Sequence, residues 1–310
     1  MPAILTHYNL ALETPLGTGA FADVVRVGTQ GPDVFMAYGT VPWRKKKDKA
    51  IINPVGAALH HVPVEESYGK MIAYASAHPE KEMLYAYIES ALMHYALDRL
   101  AHPYIFYRSG FDENGELHGF YKWSHGAFEA ILDKELSQRK GTYQRPYKCL
   151  LAQEPRIREV SKMWAACTSF GLQEDSFYEA WKDYIAAMKL IYSPTGIKKK
   201  FIGLVLGKTS AAYAQSMPRS LKKYAAMDIQ NLTHAAWKDP ATGEEHHESI
   251  DDLFELAKKD MGELHAILEE AKQGKDVTSA LKKWGRNLDH DGTPYDGKKR
   301  YQDVCFPKIM

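Results

Sequence analysis

Tyr87–Pro103 reads YIESALMHYALDRLAHP. It is rich in Ala and Leu, has no internal Gly, and meets a Pro at its end, which predicts a helix over about 80–102. His94, Asp98 and His102 stand four residues apart within it. Each four-residue step turns a side chain by about 40°, so the three lie along one slowly drifting face. Their neighbours Leu92, Leu97 and Leu100 are apolar. A carboxylate between two imidazoles on such a helix is costly to bury unless something compensates its charge, and a bound cation does so. The plain alternative is a solvated polar face that contains two histidines.

Working outward, Trp123–Leu136 reads WSHGAFEAILDKEL. His125 and Glu129 again stand four apart, on a helix expected to run to about Gln138 with Ser124 as its N-cap. His and carboxylate are ligand types that zinc accepts. Either pair alone reads equally well as a helix-surface contact; the two helices together favour a metal.

Upstream, His7 lies in THYNLALE, read as a short helix capped by Thr6, and by itself it is an ordinary surface histidine. PLGTGAF at 15–21 lacks both the Lys-Ser/Thr and the preceding strand of a phosphate cradle. Gly31-Pro32-Asp33 is a sharp turn that leaves Asp33 at the end of a buried element, or as an Asx turn or cap. Residues 44–49, RKKKDK, form a basic exposed loop, read as solvated, with contact to anionic lipid or phosphate as the other reading. His60 and His61 are adjacent and point about 100° apart on a helix, so one of them can face a site. His60 is the favoured one. A helix over 64–78 ends at His78-Pro79.

Downstream, Asp112, Asn114 and Glu116 do not keep calcium-loop spacing, and His118 is placed in a turn. Ile157–Phe170, Gln173–Tyr192, Thr209–Gln215 and Ile250–Lys272 look like amphipathic helices, with a Pro-Thr-Gly turn and the basic run Lys198–Lys200 between two of them. His234, His246 and His247 read as surface residues in a polar loop. No internal repeat is evident. The expected organisation is one all-α domain over 1–285, its metal site mainly in 1–135 and further helices over 150–285. A loosely held tail, rich in Gly, Asp and Lys, occupies 286–310.

The chain has 310 residues, 45% of them hydrophobic, enough for a sizeable core. A formal net charge of +1 argues against a nucleic-acid binder that relies on a large positive field. No apolar run is long enough to span a bilayer, and the first residues lack a basic n-region and apolar h-region. Cys149, Cys167 and Cys305 follow no disulfide or zinc spacing. These features give the expectation of a cytoplasmic protein.

In order, the candidate ligands are His7, Asp33, His60, His94, Asp98, His102, His125 and Glu129. Over about residues 4–135 this order resembles the bacterial zinc-dependent phospholipase C family, whose helical architecture is shared by fungal single-strand-specific nucleases. The resemblance implies an all-α fold and hydrolysis of a phosphoester, with phospholipid among the candidate substrates. It also implies a zinc cluster. His60, His94 and Asp98 would hold one ion, His102, His125 and Glu129 a second, and His7 would lie beside Asp98 and serve a third. Asp33 would bridge, or act as the catalytic general base. Two departures matter. The secreted enzymes use a processed N-terminal Trp at one zinc, whereas this chain starts Met-Pro, so two ions are expected. His102 follows Asp98 by four residues, where the family has a longer gap. Two other readings stand beside the hydrolase: a non-catalytic helical protein stabilised by metal, with a partner-binding second half, and a nuclease of the same fold.

Overall fold

The structure, a computed structural model, describes residues 4–44, 46–110, 123–208, 210–218 and 220–295. The loop with His118 and the discarded calcium pattern lies outside them, as do Cys305 and the end of the tail. Helices dominate. In chain order they are α1 (Ile4–Leu12), α2 (Ala22–Gly28), α3 (Asp33–Met36), α4 (Lys49–Ile52), α5 (Val55–Leu59), α6 (Val64–Ser76), α7 (Lys81–Ser109), α8 (Ser124–Arg139), α9 (Pro146–Cys149), α10 (Glu154–Cys167), α11 (Ser176–Ile191), α12 (Ile197–Val205), α13 (Ala211–Gln215), α14 (Ile250–Lys272) and α15 (Thr278–Gly285). Two short strands, β1 (Trp237–Lys238) and β2 (Glu245–His246), pair antiparallel. The expected all-α class is what the chain adopts. No helix among the described residues is long and apolar enough to cross a membrane.

The helix α7 is the axis. At 29 residues it is about 43 Å long, and from Met83 to Phe106 it is buried almost continuously. A helix covered on every side carries apolar residues all round it. Here α2, α6, α8 and α14 all pack on it. Arg99 ties it to the second half, donating to the Trp284 carbonyl at 2.8 Å and pairing with Asp260 on α14. The later helices therefore enclose α7 and join the same core.

Pro103 does not end this helix. Its ring removes the N–H that would bond the Arg99 carbonyl four residues back. Gly292 packs against that site instead. Its φ is +73°, and a Cβ there would lie 2.5 Å from the Arg99 oxygen and 2.9 Å from Pro103 Cγ. Two capping expectations also fail. Thr6 lies inside α1 and its hydroxyl donates to Asp133 Oδ1 at 2.7 Å, so it is a tether to α8. Trp123, not Ser124, occupies the N-cap position of α8, and Ser124 is its first helical residue.

The tail reading is corrected over 286–295. Asp289, His290 and Thr293 are buried. Tyr95 donates to the carbonyls of Gly285 and Leu288, and Tyr295 donates to the Val62 carbonyl. This segment is a strap across α7. The basic loop is not a free solvated run either: Arg44 pairs with Asp183 and Glu179, and Lys46 with Glu179, all on α11.

Candidate metal centre

Asp98 stands at the centre of the site. One carboxylate oxygen, Oδ1, is 3.2 Å from His7 Nε2 and 3.8 Å from His102 Nε2. The other, Oδ2, is 2.8 Å from His94 Nε2, 3.1 Å from His290 Nδ1 and 3.9 Å from His60 Nε2. Asp33 Oδ1 approaches His60 Nε2 at 3.2 Å, and Glu129 Oε1 lies 3.1 Å from His125 Nε2 and 3.7 Å from His102 Nε2. All eight ligand candidates from the sequence thus lie in one connected cluster.

Each comes from a different local device. His94, Asp98 and His102 share a face of α7, and His125 and Glu129 share one of α8, by the four-residue spacing. His7 enters from α1. Gly31 turns the chain into α3 with φ +50°, tightly enough that a Cβ would lie 2.4 Å from the His94 ring. That turn sets Asp33 beside His60. His60 is the inward member of its pair; His61 is half exposed and bonds Asp289 at 2.9 Å.

His290 is the residue the sequence reading missed. It sits in the Asp289-His290-Asp291 triplet of the strap. Its N–H donates to the His60 carbonyl at 3.1 Å, its carbonyl accepts from His102 Nδ1 at 2.7 Å, and its ring meets Asp98. A histidine flanked by two aspartates before a glycine turn was the available signal.

The orientation of the rings carries the chemical argument. Nδ1 of His60, His94 and His102 donates to the carbonyls of Gly56, Thr29 and His290 at 2.7, 3.1 and 2.7 Å. A carbonyl only accepts, so Nδ1 holds the proton and Nε2 of the neutral ring is a bare lone pair. All three lone pairs point at carboxylates. His94 Nε2 is buried, 2.8 Å from Asp98 Oδ2, and makes no hydrogen bond; Glu129 Oε2 and the Nδ1 atoms of His7 and His125 are also buried without one. Acceptors facing acceptors in a buried site repel unless a bound cation, or a second proton on the ring, lies between them. Two ligands at 2.0–2.1 Å from one tetrahedral cation are about 3.3 Å apart. The observed spacings of 2.8 to 3.9 Å bracket that value. Backbone carbonyls that fix the remote nitrogen are also the usual outer support of histidine ligands.

Without a cation the cluster is electrostatically divided. Burial would lower His102, but Asp98, Glu129 and Asp291 raise it to about 10. Burial also works against His60, which Asp33 and Asp98 nonetheless raise. In contrast burial, reinforced by His60, lowers His290 to about 3, and burial with His94 lowers His7. Burial would raise Asp98 and Glu129; the imidazoles around them, His94 and His102 for Asp98 and His125 for Glu129, hold both well below the usual carboxylate range.

Three groups of donors could hold a metal ion among the described residues: His60, His94, Asp98 and His290; His102, His125 and Glu129; and His61, Asp289 and Asp291. The first is wholly buried. In the second, His125 is one-fifth exposed. The third is rim-like, with His61 outward and the Asp289 carboxylate already accepting from the backbone of Asp291 and Thr293. His7 bonds Asp98 but joins none of the three.

No family model, characterised protein or solved structure matches this chain. His234 and His247 are exposed, each bonded to the other's backbone, and His246 stacks on Trp237. His78 stacks on Tyr74 at the end of α6. None of these four lies at the cluster.

Proposed function

We propose that this chain is a zinc-dependent phosphoester hydrolase with two metal positions. The observation that carries the reading is the pair of unlike donor groups on α7. The first offers four protein donors, enough to complete a tetrahedral zinc. Among the described residues the second offers three, which leaves a position for water or substrate, the arrangement of catalytic zinc sites. Mixed imidazole and carboxylate donors suit zinc. Bound there, zinc polarises a phosphoryl oxygen and makes attacking water available near neutral pH.

The chain's own residues supply the rest. His102 and Glu129 form the inner wall of the second group, and His125 its partly open side. Asp33, 3.2 Å from His60 Nε2, stands beside the first group and adds a carboxylate there. The buried free thiols of Cys149 and Cys167 suit a reducing compartment such as the cytoplasm. The four-donor group alone would equally suit a structural metal, so the hydrolase reading rests on the three-donor group.

The test is hydrolysis of bis-p-nitrophenyl phosphate by zinc-loaded protein, followed by phosphatidylcholine and single-stranded DNA as substrates. Turnover that falls at least about 100-fold in His125→Ala supports the reading. Zinc-loaded wild type that cleaves none of the three contradicts it and leaves a metal-stabilised helical protein.

A further inference from the structure

Eleven large hydrophobic residues are exposed among the described residues, and five fall within ten positions: Ile197 at 69%, Phe201 at 63%, Leu204 at 84%, Val205 at 59% and Leu206 at 60%. The first four are spaced i, i+4, i+7 and i+8, which places them on one face of α12. The opposite face is anchored: Ile202 is buried, and Gly203 lies against Tyr213. The helix therefore presents its apolar stripe to solvent by construction. Contiguous exposed apolar surface of this kind marks an interaction site.

The charge around it is one-sided. Between Asp183 and Asp228 the chain has no acidic residue, and it has eight basic ones: Lys189, Lys198–Lys200, Lys208, Arg219, Lys222 and Lys223. In the whole chain 40 basic residues balance 39 acidic ones, so the segregation is local. Lys198, Lys200, Lys208, Lys222 and Lys223 are exposed, whereas Lys199 turns inward to the Ser216 carbonyl. An apolar stripe flanked by lysines is the composition of a helix that lies in a membrane interface, apolar side toward the acyl chains and ammonium groups at the headgroups.

We propose that α12 is a docking surface for an anionic lipid bilayer. A second copy of the chain is the poorer occupant. A two-fold contact would bring the same lysines face to face, and a nine-residue helix offers little of the roughly 800 Å² per partner of a stable interface. Through its packed face α12 meets α13, which in turn packs on α8, the helix of His125 and Glu129. The proposal stands on the α12 surface and does not depend on the metal reading.

The experiment is co-sedimentation of the full chain with phosphatidylcholine vesicles, with and without phosphatidylglycerol at about three lipids in ten. Wild type pellets with the anionic vesicles at low salt and is released as salt screens the attraction. Phe201→Ser with Leu204→Ser lowers the partition coefficient more than about tenfold, because two apolar side chains no longer insert. Lys198→Gln and Lys200→Gln each lower it up to about fivefold, on anionic vesicles only. All altered residues are exposed, so circular dichroism, melting temperature and metal content should match wild type. The proposal is overturned if wild type does not bind the anionic vesicles, or if the Phe201/Leu204 pair changes binding by less than about twofold. It is also overturned if that pair dissolves a lipid-independent dimer.

Discussion

His60, His94, Asp98 and His290 form a group in which every donor is buried and four protein atoms converge; His102, His125 and Glu129 form one with three donors and one edge at the surface. Both groups use imidazole and carboxylate, and both hang on α7. They differ in what completes them. The first is finished by a strap from the end of the described chain, and the second, among the described residues, is left short by one donor. On the proposed reading, residue type selects the metal and completeness assigns the role: a filled shell would hold the fold, and an unfilled one would admit a reactant.

The hardest blow to both groups is Asp98→Asn. The amide keeps the shape and loses the charge around which five imidazoles gather. Breaking a buried ionic centre costs about 3–5 kcal/mol. The expected outcome is a melting temperature about 5–8 °C lower and loss of metal from both positions, read by calorimetry and metal analysis. Retention of either metal would separate the two groups more sharply than the structure does.

The next effect concerns the floor of the open group. Asp133, one turn beyond Glu129 on α8, accepts from the backbone of Leu5 and Thr6 and from the Thr6 hydroxyl, fastening α1 and its His7. Burial raises its pKa to about 7 despite these bonds, from an ordinary 3.8. Folding therefore takes up a proton. The contribution is complete below about pH 4 and is lost as pH rises through 7. Linkage at about 1.4 kcal/mol per unit predicts a fall of a few kcal/mol in stability across that window. Asp133→Asn should flatten the profile in denaturant titrations.

The third prediction sets the groups against each other. His290→Ala should cost about 2 kcal/mol and one metal, because a buried ligand and a strap contact go together. His125→Ala should remove the other metal and the turnover while costing less than about 1 kcal/mol when the metal-free proteins are compared, since His125 is partly exposed. Equal stability losses would erase the proposed division of labour. Smallest of all, His61→Ala removes a half-exposed pair with Asp289 and should shift stability by less than about 1 kcal/mol without changing metal content.

The legible part of the site was the part with a period. His94, Asp98, His102, His125 and Glu129 announce themselves because helical spacing turns sequence distance into a shared face. Asp33 was legible through its Gly-Pro turn. His290 was not, because a loop residue has no period and its neighbours, Gly and Asp, also describe a loose end. Pro103 misled for a different reason: a proline marks a helix end only as a tendency, and here the packing of α7 on every side carries the helix through it, with Gly292 fitted against the Arg99 carbonyl. The basic loop at 44–49 reads as free because its partners Glu179 and Asp183 lie more than 130 positions away. The fold class followed from the helical patterns, and the wrapping of the second half around α7 did not, since burial on all sides leaves no stripe to read.

Elemental mass spectrometry of the untagged protein tests the central claim most directly, comparing wild type with the His94→Ala/Asp98→Ala double variant. Two zinc per chain in the wild type, absent from the double variant, is the predicted result. A wild type that carries no tightly bound transition metal, with a double variant equally stable, would contradict the account and reduce the cluster to core histidines and their carboxylates.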